Sequence, residues 1–231
     1  MVGHGPTARR AIINEFRLPW QPSKMMFVYL LVSKYLAVLS HTRENIIDLA
    51  EEMIRTKGYN AFSYGDIAGV LHIRNAAIHY YFPSKADLGI SVVDREIGKI
   101  AGSRAEWEGL PGNVQLRKVM ERFYGSHQRG WICLNGSLTP DFLTLPGGMQ
   151  KKVKQMCEVI LDWMTEALEK GRKDGTLVFE GEAENRALLV ISSLLSSLLL
   201  ARVLGKEVFT RMLDQLLKDI ECTPARRPGL E

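Results

Sequence analysis

The stretch from Ser63 to Asp87 leaves the backbone very little choice. Ser63-Tyr64-Gly65-Asp66 and Ser84-Lys85-Ala86-Asp87 both have the Ser-x-x-Asp form. In that form the serine oxygen accepts an early backbone N–H of a helix and the acid reaches back to the serine N–H, so each marks a helix start. Pro83 closes whatever precedes the second start. Between these points Ile67, Ala68, Val70 and Leu71 form one apolar helical face, and a further helix runs from Asn75 to about Phe82. His72, Ile73 and Arg74 alone separate them, too few residues for anything but a tight interhelical turn. A helix-turn-helix is therefore expected.

The flanks read as helices too. Ile46, Ile47, Ala50, Met53 and Ile54 recur at three- and four-residue steps, with Thr42 as N-cap and Gly58 as the left-handed terminator. Downstream, helices are expected from Ser84 towards Gly102, over Val114 to His127, Met149 to Lys170, Glu182 to Leu204 and Lys206 to Ile220. A broken segment spans Trp131 to Leu145, and Gly171 with Gly175 should end the helix from Met149. Leu177, Val178 and Phe179 are too isolated to imply a sheet. The expected class is all-α, in four parts: an N-terminal extension over 1–40, the helix-turn-helix domain over 41–88, a helical bundle over 89–222 and a flexible tail over 223–231.

The second helix of such a pair is the one that enters a major groove. Here Ala76 and Ala77 keep one side of it slim, while Arg74, Asn75, His79, Tyr80 and Lys85 place donors on and beside it. Two segments, RENIIDLAEEMIRTKGYNAFSYGDIAGVL and RNAAIHYYFPSKADL, together resemble the TetR/AcrR family of regulators over Thr42 to Leu88. The resemblance implies a DNA-binding head followed by a helical bundle for ligand binding and dimerisation. Residue by residue, it implies that Ser63 and Tyr64 meet the DNA backbone, that Arg74, Asn75 and Ala77 face bases, that His79 and Tyr80 hold phosphates or bases, and that Lys85 pairs with phosphate. His79 stands where the family usually has Tyr, His72 where it has Gly, and Arg74 where a Ser or Thr caps the recognition helix, which makes Asn75 the candidate cap. Tyr81 and Phe82 are expected in the core. The head is not broadly basic: Thr42 to Ile90 holds five Lys/Arg against six Asp/Glu, whereas Arg9, Arg10, Glu15, Arg17, Lys24 and Lys34 ahead of it sum to +4.

In the C-terminal half, Glu182 to Leu204 is apolar almost all round and must be covered on most sides, with Ser192, Ser193, Ser196 and Ser197 permitting close helix approach. With the last helix it resembles the pair that forms the four-helix dimer interface in TetR-type proteins. That implies a homodimer through Leu188, Ile191, Leu195, Leu198, Leu199, Arg202, Met212 and Leu216. Charges at Glu184, Arg186 and Arg202 leave this stretch short of a comfortable membrane span, so no membrane partner is expected. Trp107, Phe123, Trp131, Cys133 and Trp163 are the candidate binding residues for a small apolar or aromatic effector. Arg129 near Cys133 leaves two readings of that thiol, a redox or electrophile sensor and a buried inert group.

Other function classes find little support. Gly136-Ser137 lacks the following Gly of a hydrolase elbow, and no phosphate-cradling glycine loop is present, so neither an enzyme nor a cofactor is expected. Cys133, Cys157 and Cys222 lack metal-ligand spacing, and His72 with His79 has no third ligand nearby, so no metal site is expected. Met25 to Leu39 follows Arg9, Arg10, Arg17 and Lys24 in signal-peptide order, but Ser33 and Lys34 interrupt it and no small-residue cleavage pattern follows. An extra helix, or translated sequence ahead of a start at Met25 or Met26, fits better, and the expected location is cytoplasmic. The expected partner is double-stranded operator DNA; the rival reading is a helical protein-interaction module without sequence-specific DNA binding.

Overall fold

The computed structural model of the protein describes residues 41–221, so the expected extension over 1–40, Cys222 and the expected tail over 223–231 lie outside the described residues. By compactness the chain divides after Glu44, and of that first unit the described part is residues 41–44, the opening turn of the first helix.

Helix α1 covers 41–57 and stops at Gly58, whose φ of 98° suits glycine and few other residues. A 3₁₀ turn, Tyr59–Ala61, leads to α2, Tyr64–Leu71, which opens on the complete Ser63/Asp66 capping box. The turn closes through His72 in the left-handed conformation (φ 53°, ψ 39°), its N–H bonded to the Ala68 carbonyl. Histidine thus fulfils the role of the expected glycine. Helix α3, Asn75–Tyr81, follows, but Asn75 does not become its cap. Arg74 occupies the extended N-cap position and makes no side-chain cap bond, while Asn75 is already helical and cannot reach the orphan amides from there.

Helix α4, Lys85–Trp107, starts on the second complete capping box and runs past Gly102. Glycine weakens a helix by about 1 kcal/mol, and the buried Ile100 with the packed Ile97 and Trp107 outweighs that. Helices α5 (Gly112–Gln128), α6 (Leu134–Leu138) and α7 (Gly147–Lys173) follow, with a 3₁₀ turn Phe142–Thr144 before α7. Gly171 does not end α7. It lies inside the helix, where a Cβ would fall 2.3 Å from the Leu177 side chain, and its backbone touches Gly112 at the start of α5. The stop comes at Asp174 and Gly175, the latter at φ 72°.

Helices α8 (Ala183–Leu204) and α9 (Glu207–Ile220) complete the described chain, and one antiparallel bridge joins Leu177 to Glu221. Helix α7 is the hub: α4, α5 and α8 pack on it, and α9 packs on α8. Contrary to the sequence expectation, α8 is long and apolar enough to cross a membrane by length and composition. Its buried face, which includes Val190, Ile191, Leu194 and Leu198, belongs to the bundle core.

Candidate functional site

Three groups of residues stand out, and the first is the helix-turn-helix. Ile67, Ile78 and Phe82 are buried between its helices. Tyr64 is buried as well and donates its hydroxyl to the Phe82 carbonyl at 2.9 Å. Burial, then the nearby Asp87 and Tyr59, push that phenol up to about 12, so it remains a donor. The ring meets the edge of His79 at 4.8 Å and so locks the start of α2 to the end of α3. Ser63 gives its hydroxyl proton to Asp66 at 2.7 Å. Lys85 turns inward: its ammonium donates to the carbonyls of Tyr59 (2.6 Å) and Phe62 (2.5 Å) and sits over both rings at 4.5 and 4.2 Å. Ser63, Tyr64 and Lys85, expected to contact DNA, each bond within the head, Ser63 while remaining exposed, Tyr64 buried and Lys85 half-buried.

Lys85→Met should therefore act on stability, lowering it by about 2 kcal/mol in urea unfolding, since a charge-assisted bond and cation–π contacts are lost together. Unchanged stability would return Lys85 to the surface.

What the head presents outward is Arg74, Asn75, Ala76, His79 and Tyr80, with Ala77 half-covered. Tyr80 is 73% exposed and rests edge-on against Tyr81 at 5.1 Å. Phe82 is in the core as expected, whereas Tyr81 is half-buried. His79 Nδ1 lies 3.3 Å from the Pro83 carbonyl. A carbonyl only accepts, so Nδ1 carries a proton in this contact, which leaves Nε2 to face outward.

The second group surrounds a cavity of about 250 Å³ between α1, α4, α5, α7 and the α5–α6 connection. Phe123, Trp131, Cys133 and Trp163 line it as the sequence suggests. Trp107 does not; it packs behind the wall with its ring tilted 30° against Trp163 at 5.4 Å, because α4 runs a turn beyond its expected end. The sequence reading missed an ionic wall. Arg55 donates to Glu51 (2.9 Å) and to Glu96 (3.2 Å), Arg122 to Glu96 (2.8 Å), and Arg95 to Glu51 (2.6 Å). Burial alone would raise the Glu51 carboxyl, but Arg55, Lys99 and Arg95 outweigh it and hold the group below the usual range. The Arg55 carbonyl accepts from Ile132 N (3.1 Å) and Arg202 (3.0 Å), so one residue of α1 touches α4, the α5–α6 connection and α8. Its sequence trace was the Glu51/Arg55 pair at i,i+4, which reads as an ordinary surface pair.

Cys133 caps α6, its sulfur accepting from Gly136 N at 3.4 Å. Burial raises its pKa to about 11 against the smaller opposing pull of Gly136 and Arg55. Such a thiol holds roughly a hundredfold less thiolate than an ordinary one, which favours the inert reading. Iodoacetamide at neutral pH should label Cys133 about a hundredfold more slowly in the native protein than after denaturation. Equal rates would restore the sensor reading.

The third group is the outer face of α8. Leu188, Leu189, Leu199, Leu200, Val203 and Leu204 are exposed large apolar residues, and Ser192 and Ser196 share the same side. Of the expected interface, Leu188, Leu199 and Arg202 face outward and Leu195, Met212 and Leu216 are half-buried. Ile191 and Leu198 pack inside the protomer instead, since the 3.6-residue period carries them to the α7 side. Arg202 is engaged by the Arg55 carbonyl.

Comparison with known proteins adds a family. The model described as "Bacterial regulatory proteins, tetR family" matches residues 46–92. A TetR-family transcriptional regulator from Agrobacterium tumefaciens is similar in structure, with a TM-score of 0.75 and 30% identity over 80% of this chain and 100% of its own. A TetR transcriptional regulator from Legionella pneumophila is similar at TM-score 0.70 and 33% identity, covering 78% of this chain and 97% of its own. Among curated proteins, the HTH-type transcriptional repressor NemR of Escherichia coli K12 is 22% identical over 80% of this chain and 96% of its length.

Proposed function

The chain belongs to the TetR family of bacterial regulatory proteins, DNA-binding transcriptional regulators and not enzymes, and from that premise we propose that it is a repressor. On this reading it binds a palindromic operator as a homodimer and is released by a small-molecule effector. The observation that carries the reading is the outward set on α3: Arg74, Asn75, His79 and Tyr80 are exposed side by side on a helix whose other face is locked to α2. Arginine and asparagine suit guanine and adenine edges, and the Tyr80 hydroxyl suits a phosphate oxygen. Ala77 keeps the helix slim enough for close approach to the bases. His79 presents Nε2 towards a base edge or phosphate oxygen.

The division into a reading head over 41–88 and a sensing bundle over 89–222 is part of the proposal, as is a cytoplasmic location. The exposed apolar face of α8, with the half-buried Met212 and Leu216 of α9, is the proposed dimer surface. Exposed apolar area of this extent on a soluble regulator calls for a partner. The cavity beside Trp131 and Trp163 is the proposed effector site. Arg55 on α1 and Glu96 on α4 meet in its wall, and α4 begins directly after the recognition helix. A ligand that separates those two helices tilts the heads away from the spacing of about 34 Å that adjacent half-sites demand. Effector and operator should then weaken each other by the same factor.

The test is a gel shift of the purified protein on the intergenic DNA beside its own gene, at several salt concentrations. Tyr80→Ala should weaken specific binding about tenfold and reduce the salt slope by no more than about one unit, with dimerisation unchanged. No specific shift in the wild type would favour the protein-interaction module instead.

A further inference from the structure

We propose that the cavity between α1, α4, α5 and α7 selects organic anions, an aromatic or aliphatic body carrying a carboxylate or similar acidic group, over neutral and cationic molecules of the same size. This rests on the reading of that cavity as the effector site and adds the charge class of what enters it.

The argument begins with the ionic wall. Arg55, Lys99, Arg122 and Arg129 line the cavity against two carboxylates, Glu51 and Glu96. Both acids are already occupied: Glu51 binds Arg55 and Arg95, and Glu96 binds Arg55 and Arg122. The lining itself thus carries four cations against two acids, a surplus of two positive charges. The surplus is identifiable. The Arg129 guanidinium lies over the Trp131 ring at 5.0 Å and forms no ion pair among the described residues, and Lys99 is held by Glu51 at 3.5 Å with half its side chain exposed.

A cationic ligand would meet surplus positive charge and carboxylates whose oxygens are each already engaged by a guanidinium. An anion would meet Arg129 and Lys99 at little reorganisation cost, since neither must leave a strong partner first. One more group asks for an acceptor. Trp163 is 2% exposed and lines the cavity, yet its indole N–H has no acceptor among the described residues. Buried donors of this kind cost stability unless a ligand or water fills the role. The remaining lining, Phe123, Met156, Ile160 and Trp131, suits an apolar body, and a volume of about 250 Å³ suits a fused-ring size.

The experiment is calorimetric titration of the full chain, without DNA, with three probes of one shape: 2-naphthoate, 2-naphthalenemethanol and 2-naphthylmethylammonium. The acid should bind about tenfold or more tightly than the alcohol, and the ammonium more weakly than either. Raising salt from about 50 to about 500 mM should narrow the gap. Arg129→Gln should bring the acid to within about twofold of the alcohol while leaving the alcohol's affinity unchanged. Alcohol or ammonium binding as tightly as the acid would overturn the anion preference and leave the effector cavity standing. Ile160→Trp fills the cavity: acid binding that survives it, or no binding by any probe to the wild type, would overturn the cavity reading and the preference together.

Discussion

Leu199→Glu should turn the proposed homodimer into a monomer with an intact fold and abolish the proposed specific operator binding. Leu199 lies on the exposed side of α8 with Val203 and Ser196, so in the protomer a glutamate there meets water and costs little. In a twofold interface the same patch faces itself, and each substitution buries two carboxylates per dimer. Burying an unpaired charge costs several kcal/mol, and each 1.4 kcal/mol is tenfold, so dimerisation should weaken by at least about a hundredfold. Half-site binding then loses its partner. Sedimentation velocity and circular dichroism check the two halves: monomer with unchanged helicity is expected, and a persisting dimer would move the interface elsewhere. Leu198→Glu is the instructive contrast. At 2% exposure within the protomer it should damage folding itself.

Arg55→Met should cost about 3 kcal/mol of stability at neutral pH, the usual consequence of removing one partner from a buried ionic cluster. Glu51 and Glu96 would remain in the wall with one guanidinium fewer each. The pH dependence gives the sign. In the native protein the Glu51 carboxyl titrates below its ordinary value of 4.5, so its contribution is present above that value and is lost as pH falls through the folded one. Without Arg55, burial loses a main counterweight and the folded value moves up. The deficit of the variant should therefore be full near pH 7 and shrink on acidification through the range around 4.5. Urea unfolding of both proteins across that range measures it, and a deficit independent of pH would show that packing, not charge, is what Arg55 contributes. On the proposed function, the same variant should weaken the coupling between effector and operator, because Arg55 brings α1 into the cavity wall.

Much of the head was legible in advance. The two Ser-x-x-Asp boxes, the three-residue turn and Pro83 act through backbone groups a few residues apart, so local chemistry alone fixes where α2, α3 and α4 start. Even the departure from the usual turn glycine was readable, since His72 tolerates a left-handed conformation. The apolar side of the cavity was legible as well, because aromatic and methionine residues cluster in the sequence between the head and α8.

The sequence by itself determined the longer helices, their order and the outward set of α3, because hydrophobic period and capping are short-range properties, while the short α6 formed inside what reads as a broken segment. Tertiary structure decided the rest. That Lys85 would bond inside the head depended on Tyr59 and Phe62, more than twenty residues earlier, whose carbonyls and rings gather around it. Glu51, Arg55, Glu96 and Arg122 belong to three helices and read as solvated charges until packing places them in one wall. Ile191 and Leu198 could not be separated from Leu188 and Leu199, since a helix apolar all round does not say which side its own chain covers. The physical reason is common to these cases: a side chain's partner is set by which helices meet, and that depends on the whole core packing at once.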